Sequence, residues 1–222
     1  MNQELTEVIL LGTMHLAVTD YPEYASKLGN LIEEIAPGII CTEVSPEQLA
    51  GTQPCDSKPE QRDVVLPTAR RLGIPIVPIQ PATEVGVEWE GRYKAAEQEM
   101  RTQEEGRHFL DYSCNLSVHE ARLWERYMKS ADCIENVQMN EYHVFPKARD
   151  MMEKKWMPRL ARLLTEWNEY FLSRIIATIE SKPGILIMVI TGLWHKHWLW
   201  EKLEHTDGIR VHNLHSFRLS RK

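Results

Sequence analysis

The chain has 222 residues, of which 43% are apolar, and it carries a formal net charge of −6. This length and apolar content are typical of one globular domain, so residues 1–222 are expected to fold together. The charge excludes a sequence-wide basic field for nucleic acid, and no run approaches the roughly 18 apolar residues of a membrane span. Without a secretion-like start or a CxxC pair, the four cysteines indicate reduced thiols in a cytoplasmic protein.

The first third of the chain alternates strands and helices. Residues 8–15 begin as an unbroken apolar run, which predicts a buried strand. Helix-start residues and helical spacing predict helices over residues 20–35 and 57–72, with a second strand at 38–44 between them. A third strand is predicted at 74–79, where two prolines favour the edge of a sheet. This β-α-β-α-β order predicts a parallel sheet covered by helices.

The middle of the chain has a different character. Residues 84–180 are charged, poor in glycine and helical in period, and we interpret them as a helical insertion packed over one edge or end of the sheet. Their clearest apolar stripe runs from Met152 to Ile179, interrupted only by Pro158 near its start.

The sheet resumes in the last fifth of the chain. An apolar strand is predicted at 185–191, a short helix at 196–205 and a last strand at 209–217. The expected fold is therefore α/β: a three-layer α/β/α sandwich with a mainly parallel sheet formed by residues 1–83 and 181–222, and a large helical insertion.

Ionisable side chains follow three predicted strands. His15 ends the first strand, Glu43 ends the second, and His195 follows the late strand. Ligands of open α/β sheets bind outside the carboxyl ends of the strands, so these three residues are expected to share one site. Each histidine closes a Gly-x-x-His sequence, whose glycine allows a tight turn and a close backbone approach. Two histidines and a carboxylate are also a common ligand set for a hydrolytic divalent metal such as zinc or manganese.

Each of these residues also has a structural interpretation. A histidine at a strand end is often simply hydrogen-bonded, and a glutamate before a helix, such as Glu43, can serve as a partner of the helix dipole. The occurrence of ionisable side chains at three strand ends favours a functional site over these structural interpretations. His197 is interpreted as a surface or supporting group, and Glu60 is not expected to add an acidic group on its own. The other histidines are assigned structural roles: His108, His119, His143, His205, His212 and His215.

Four short motifs occur in order across nearly the whole chain: Leu11-Gly12-Thr13-Met14-His15, Thr42-Glu43, Arg149-Asp150-Met151-Met152 and Thr191-Gly192-Leu193-Trp194-His195. This series resembles the superfamily that contains TraB, PrgY, GumN, Tiki, ChaN and the EreA-type erythromycin esterases. The resemblance implies an α/β/α sandwich with a variable helical insertion, and it places motif residues on His15, Glu43, Arg149 and His195. The arginine motif departs from the family pattern, with Ala148 and Asp150 replacing glutamate and asparagine, so a solvated helix-start arginine stays an open interpretation.

The chemistry that the resemblance implies is divided. Tiki-like members are metal-dependent proteases, erythromycin esterases use a histidine as general base on water, ChaN-like members bind haem, and PrgY/TraB members suppress peptide-pheromone signalling. Hydrolysis of an ester or amide is the shared element.

We therefore predict a hydrolase of a small-molecule or peptide substrate, with no nucleic-acid or membrane partner; a homo-oligomer is compatible with the sequence. His15 would be general base or metal ligand, and Glu43 would orient it or share a manganese, cobalt or zinc ion. His195 would be the second ligand or an electrophilic partner, and Arg149 would steady an oxyanion or a substrate carboxylate.

Two alternatives stay open. A non-catalytic or regulatory protein on the same scaffold would bind haem or a small ligand at the sheet edge, with Tyr93, Tyr127 or Tyr142 available as an axial ligand. A weaker alternative is a phage- or plasmid-encoded modifier whose partner is a protein.

Overall fold

A computed structural model describes residues 5–15, 17–130, 132–138 and 144–220. Tyr142 and His143 lie outside the described residues. The strands are β1 (Thr6–Thr13), β2 (Ile39–Thr42), β3 (Ile76–Pro78), β4 (Ile187–Gly192) and β5 (Ile209–His212). The helices are α1 (Ala17–Asp20), α2 (Pro22–Ile35), α3 (Pro46–Ala50), a π-helical turn (Gln61–Val65) that continues into α4 (Leu66–Leu72), α5 (Thr83–Thr102), α6 (Glu104–Met128), α7 (Cys133–Gln138), α8 (Val144–Trp156), α9 (Pro158–Ser181), α10 (Leu193–Glu204) and α11 (Leu214–Ser220).

The strands of the described residues form one parallel sheet in the order β3-β2-β4-β1-β5. β1 and β4 are neighbours at its centre, and Thr13 pairs with Gly192 at their carboxyl ends. The two Gly-x-x-His segments therefore leave the sheet side by side. β3 is an edge strand, as its prolines predicted, because a proline has no backbone N–H to donate to a neighbouring strand.

Helices cover both faces of the sheet. In β1, Ile9 and Leu11 belong to one apolar cluster with α2, α4, α7 and α11, whereas Val8 and Leu10 belong to a second cluster with α9 and α10. This alternation follows from the two-residue period of a strand. The prediction of a three-layer α/β/α sandwich with a parallel sheet is confirmed.

The helical insertion has a larger role than packing over an edge. The second half of α9 buries Phe171, Ile175 and Ile179 against one face of the sheet, and α7 contributes to the opposite face. The first half of α9 packs with α5 and α6 in a separate cluster that includes Met100 and Phe109. The insertion thus supplies part of both covering layers and also builds a core of its own.

Most predicted elements have bounds within about two residues of the observed ones, and three boundaries differ more. The stripe that began at Met152 is two helices, because Pro158 disfavours helical geometry at Met157, which has φ −135° and ψ 55°. The helix expected from residue 196 begins at Leu193. The last strand ends at His212 rather than 217, since the Asn213 side chain accepts a hydrogen bond from the Ser216 amide at 2.7 Å and starts α11.

Two composition-based expectations can be compared with the described residues. All four cysteines are free thiols, and three of them are buried. Among the helices that the structure describes, none has the length and apolar content needed to cross a membrane.

Candidate active site

The carboxyl ends of β1, β2 and β4 bring His15, Glu43 and His195 together. His15 Nε2 and Glu43 Oε2 lie 3.1 and 3.2 Å from the position that a Cβ on Gly192 would occupy. His195 Nε2 lies 3.9 Å from Glu43 Oε1. Three side chains from distant parts of the sequence therefore surround one point at the rim of the sheet, as their strand-end positions predicted.

The two motif glycines provide room and do not form left-handed turns. Neither Gly12 nor Gly192 has a positive φ. A Cβ on Gly12 would lie 2.6 Å from Leu193 Cδ1, and one on Gly192 would press on His15 and Glu43. The close approach expected of these glycines is present, and the chain turns after each of them, at His15 beyond β1 and directly from β4 into α10.

Glu43 is a buried carboxylate that is held from several sides. Its Oε2 accepts hydrogen bonds from the Gly192 amide at 2.6 Å and from the Thr191 hydroxyl at 3.0 Å. Its Oε1 lies 3.1 Å from the ammonium of Lys58, a residue that is itself 7% exposed. Burial alone would raise the pKa of Glu43, but Lys58, the two histidines and the Gly192 amide hold it well below its usual value. Glu43 therefore stays ionised.

His15 is paired with Glu60, an acidic residue that was not predicted to contribute. His15 Nδ1 lies 2.7 Å from Glu60 Oε1, and Glu60 is fully buried while the His15 side chain is 34% exposed. Burial lowers the pKa of His15, but the Glu60 hydrogen bond and the charges of Glu43 and Glu60 outweigh it, so the pKa is raised. With Nδ1–H donating to Glu60, the lone pair of Nε2 is left for chemistry.

The placement of Glu60 depends on a local irregularity. Glu60 directly precedes the π-helical turn, and the next residue, Gln61, is fully buried. Gln61 donates to Glu60 Oε1 at 3.2 Å and also contacts the Thr42 hydroxyl at the end of β2. π-Helical turns are rare and occur often at functional sites. The charged Lys58-Pro59-Glu60 sequence at the start of an apolar helix was the sequence signal available for this position, but Glu60 was not predicted to contribute.

His195 has the opposite electrostatic character. Its Nδ1 lies 2.6 Å from Asn168 Oδ1, and its ring packs against Phe171 with centroids 5.1 Å apart. Burial lowers the pKa of His195 more strongly than the Glu43 charge raises it, so the ring is neutral near pH 7. Asn168 is 8% exposed within the apolar stripe of α9. An amide on such a stripe was the available sequence signal for this partner.

A cleft of about 200 Å³ opens beside His195, between α5, α8, α9 and α10. Arg149 lines it: Nε donates to Glu153 Oε1 at 2.7 Å, and the guanidinium carbon lies 4.9 Å from the centre of the Trp194 ring. The structure therefore brings Arg149 to a cleft that His195 shares. His197, Thr165 and Tyr93 also line the cleft.

The predicted metal ligands converge, but as arranged they do not fit a divalent ion. Within residues 5–15, 17–130, 132–138 and 144–220, no group of three or more His, Cys, Asp or Glu side chains is placed to hold a metal. A metal would also compete with the donors already on Glu43. Two hydrogen bonds to Oε2 and the Lys58 ammonium on Oε1 use three of the roughly four acceptor positions of the carboxylate.

The tyrosines considered for haem occupy different surroundings. Tyr93 lines the cleft, whereas Tyr127 packs against the core of the sheet. The cleft volume is below the roughly 300–1,000 Å³ of typical drug-sized ligand sites, so it suits one small group of a ligand.

Of the histidines assigned structural roles, His205 bonds the Glu201 carbonyl and His212 lies 3.4 Å from Glu7.

A buried lysine supports the strand that carries His15. Lys196 is 1% exposed, and its ammonium donates to Gln138 Oε1 at 2.8 Å. Gln138 in turn bonds both the amide and the carbonyl of Gly12, at 2.9 and 2.7 Å. Burial lowers the pKa of Lys196 from 10.5 to about 7. Within the described residues no carboxylate pairs with this ammonium, and a buried ammonium without such a partner is costly.

Lys196→Met is expected to stabilise the protein by about 1–4 kcal/mol at about pH 6. Below about pH 7 the lysine is protonated in both states, so the folded protein bears the full cost of the buried charge. The gain should shrink as the pH rises towards 10.5, where both states are neutral. Urea unfolding at several pH values measures the difference, with Lys202→Met, exposed on the same helix, as the control. Equal effects of the two substitutions would show that Lys196 carries no such cost.

Comparison of the sequence with protein-family models gives no match, and comparisons with curated proteins and with solved structures give none either. The superfamily resemblance therefore stays a prediction.

Proposed function

We propose that this protein hydrolyses an ester or amide bond in a small-molecule or peptide substrate, with His15 as the general base. The observation that carries the proposal is the 2.7 Å contact between His15 Nδ1 and the buried carboxylate of Glu60. A carboxylate on one ring nitrogen fixes the tautomer that leaves the other nitrogen basic, as in hydrolases that activate a nucleophile with a histidine. The second nitrogen faces the rim of the sheet, where ligands of such folds bind.

The chemistry needs one water molecule. His15 Nε2 takes a proton from water while the water oxygen bonds to the substrate carbonyl carbon, and the carbonyl electron pair moves to its oxygen. When this pair re-forms the carbonyl, the bond to the leaving alcohol or amine breaks. His15 then returns its proton to the leaving group. The neutral His195 and the ionised Glu43 are acceptors that would orient the water.

Arg149 and Lys58 have different roles in the proposed reaction. Arg149 lies in the cleft beyond His195, where it would bind a substrate carboxylate or the developing oxyanion. Lys58 balances the charge of Glu43. The reaction requires neutral His15, so the rate should fall as the pH drops through the raised pKa of His15.

The test is turnover of a panel of nitrophenyl esters, aryl amides and short peptides by the wild-type protein and by His15→Ala. The substitution is expected to lower kcat/KM by about 10²–10⁴-fold on any substrate that is cleaved. His205→Ala, which changes an exposed histidine directly after α10, is the matched control and should leave the rate unchanged.

Three other outcomes have defined meanings. Equal rates for His15→Ala and wild type would contradict the assignment of His15. A Soret band on haem titration, with no turnover of any substrate, would support the binding protein instead. Loss of activity in chelator, restored by manganese, cobalt or zinc, would support the metal-dependent form of the hydrolase.

A further inference from the structure

Lys58 occupies an unusual position for a lysine. Its residue is 7% exposed, and its ammonium lies 3.1 Å from Glu43 Oε1 and 3.1 Å from the Glu43 carbonyl oxygen. Lys58 thus holds the same residue at two points. Its own carbonyl accepts from the amides of Gln61 and Arg62 at the start of the π-helical turn, which fixes the backbone beneath the ammonium.

The side chains around Lys58 resemble the ligands of a metal site, with the ammonium in the place of the metal. His15 Nε2 and Glu43 Oε2 both lie beside Gly192, and His195 Nε2 lies 3.9 Å from Glu43 Oε1. Each histidine uses Nδ1 for a partner of its own, Glu60 or Asn168. Histidine ligands of metals commonly have their second nitrogen held in this way. The positive charge that Glu43 needs is supplied, however, by the Lys58 ammonium.

We propose that Lys58 is the built-in cation of this site and excludes a divalent metal from His15, Glu43 and His195. A metal ligated by Glu43 would have to displace the ammonium from Oε1, which would leave a buried positive charge without its partner. Two like charges within a few ångströms of each other repel strongly in such a low-dielectric place. The inference goes beyond the proposed function and does not depend on turnover.

Removing the ammonium should convert the cluster into a metal site. Lys58→Ala vacates the space and leaves Glu43 as an unpaired buried carboxylate, with two histidines beside it. Two histidines, one carboxylate and an open position match the ligand set of hydrolytic zinc sites.

The experiment is calorimetric titration of Zn²⁺ into the full-length wild-type protein and into Lys58→Ala. The variant is expected to gain one tightly bound equivalent that wild type lacks, and to lose it again in Lys58→Ala/His15→Ala/His195→Ala. Zn²⁺ at about 100 times its Kd should also raise the Tm of Lys58→Ala by about 5–10 °C. The control is Lys94→Ala, which removes an exposed ammonium paired with Glu90 and should gain no zinc site.

Two results would overturn the proposal. One is a stoichiometric zinc site in the wild-type protein that disappears in His15→Ala/His195→Ala, because Lys58 would then coexist with the metal. The other is the absence of a gained site in both Lys58→Ala and Lys58→Gln; the glutamine variant keeps a hydrogen-bond donor near Glu43 in case the alanine variant does not fold. If the alanine variant folds only when Zn²⁺ is present, the proposal is supported. The wild-type measurement is independent of the stability of either variant.

Discussion

Replacing Lys58 with methionine is expected to lower the free energy of unfolding by about 3–5 kcal/mol, the cost of removing one partner of a buried ion pair. Glu43 is 3% exposed, so its charge cannot reach water when the ammonium is lost. Methionine keeps most of the volume of the lysine stem, so the change reports on charge rather than on a cavity. Urea unfolding followed by circular dichroism gives the difference.

The double variant Lys58→Met/Glu43→Gln separates the charge effect from packing. The neutral amide has no unpaired charge, so we expect it to recover more than half of the loss caused by Lys58→Met alone. Lys94→Met is the control for an exposed pair, which is typically worth about 0.2–1 kcal/mol. If Lys58→Met unfolded at the same midpoint urea concentration as the wild-type protein, the buried ion pair would be refuted.

Glu60→Gln is expected to lower kcat/KM by about 10²–10⁴-fold on the substrates found with the panel, without unfolding the protein. An amide is almost the same size as the carboxylate, but it offers His15 Nδ1 either a weaker acceptor or a donor that reverses the tautomer. Loss of the negative charge should also lower the pKa of His15, because Glu60 is the main group that raises it. The acid limb of the pH–rate profile should therefore move to lower pH.

The shift of the profile distinguishes an orienting carboxylate from a merely structural one. Glu204→Gln, an exposed change on α10, is the matched control and should alter neither the rate nor the profile. His15→Ala/Glu60→Gln should be no slower than His15→Ala alone, since Glu60 acts through His15. A slow Glu60→Gln variant with an unmoved acid limb would assign Glu60 to folding instead.

The sheet and its polar rim were predictable from local sequence patterns. Unbroken apolar runs mark buried strands, and alternation with amphipathic helices implies parallel connections, so His15, Glu43 and His195 could be assigned to one edge. Residues 15 and 195 meet because β1 and β4 are neighbours in the sheet. The strand order that makes them neighbours could not be predicted from the sequence. The shared direction of parallel strands could be, and it already restricted both histidines to the same rim of the sheet.

The amino-acid sequence by itself thus determined the class of fold and the three strand-end residues, because strand period and burial are local properties. Only the tertiary structure decided the partners: Lys58 on Glu43, Glu60 on His15 and Asn168 on His195. Each partner lies on or beside a helix, where one residue changes the direction of a side chain by about 100°. The π-helical turn after Glu60 alters that direction in a way that no spacing rule predicts, and the packing of the helix on the sheet selects which side chain reaches the site.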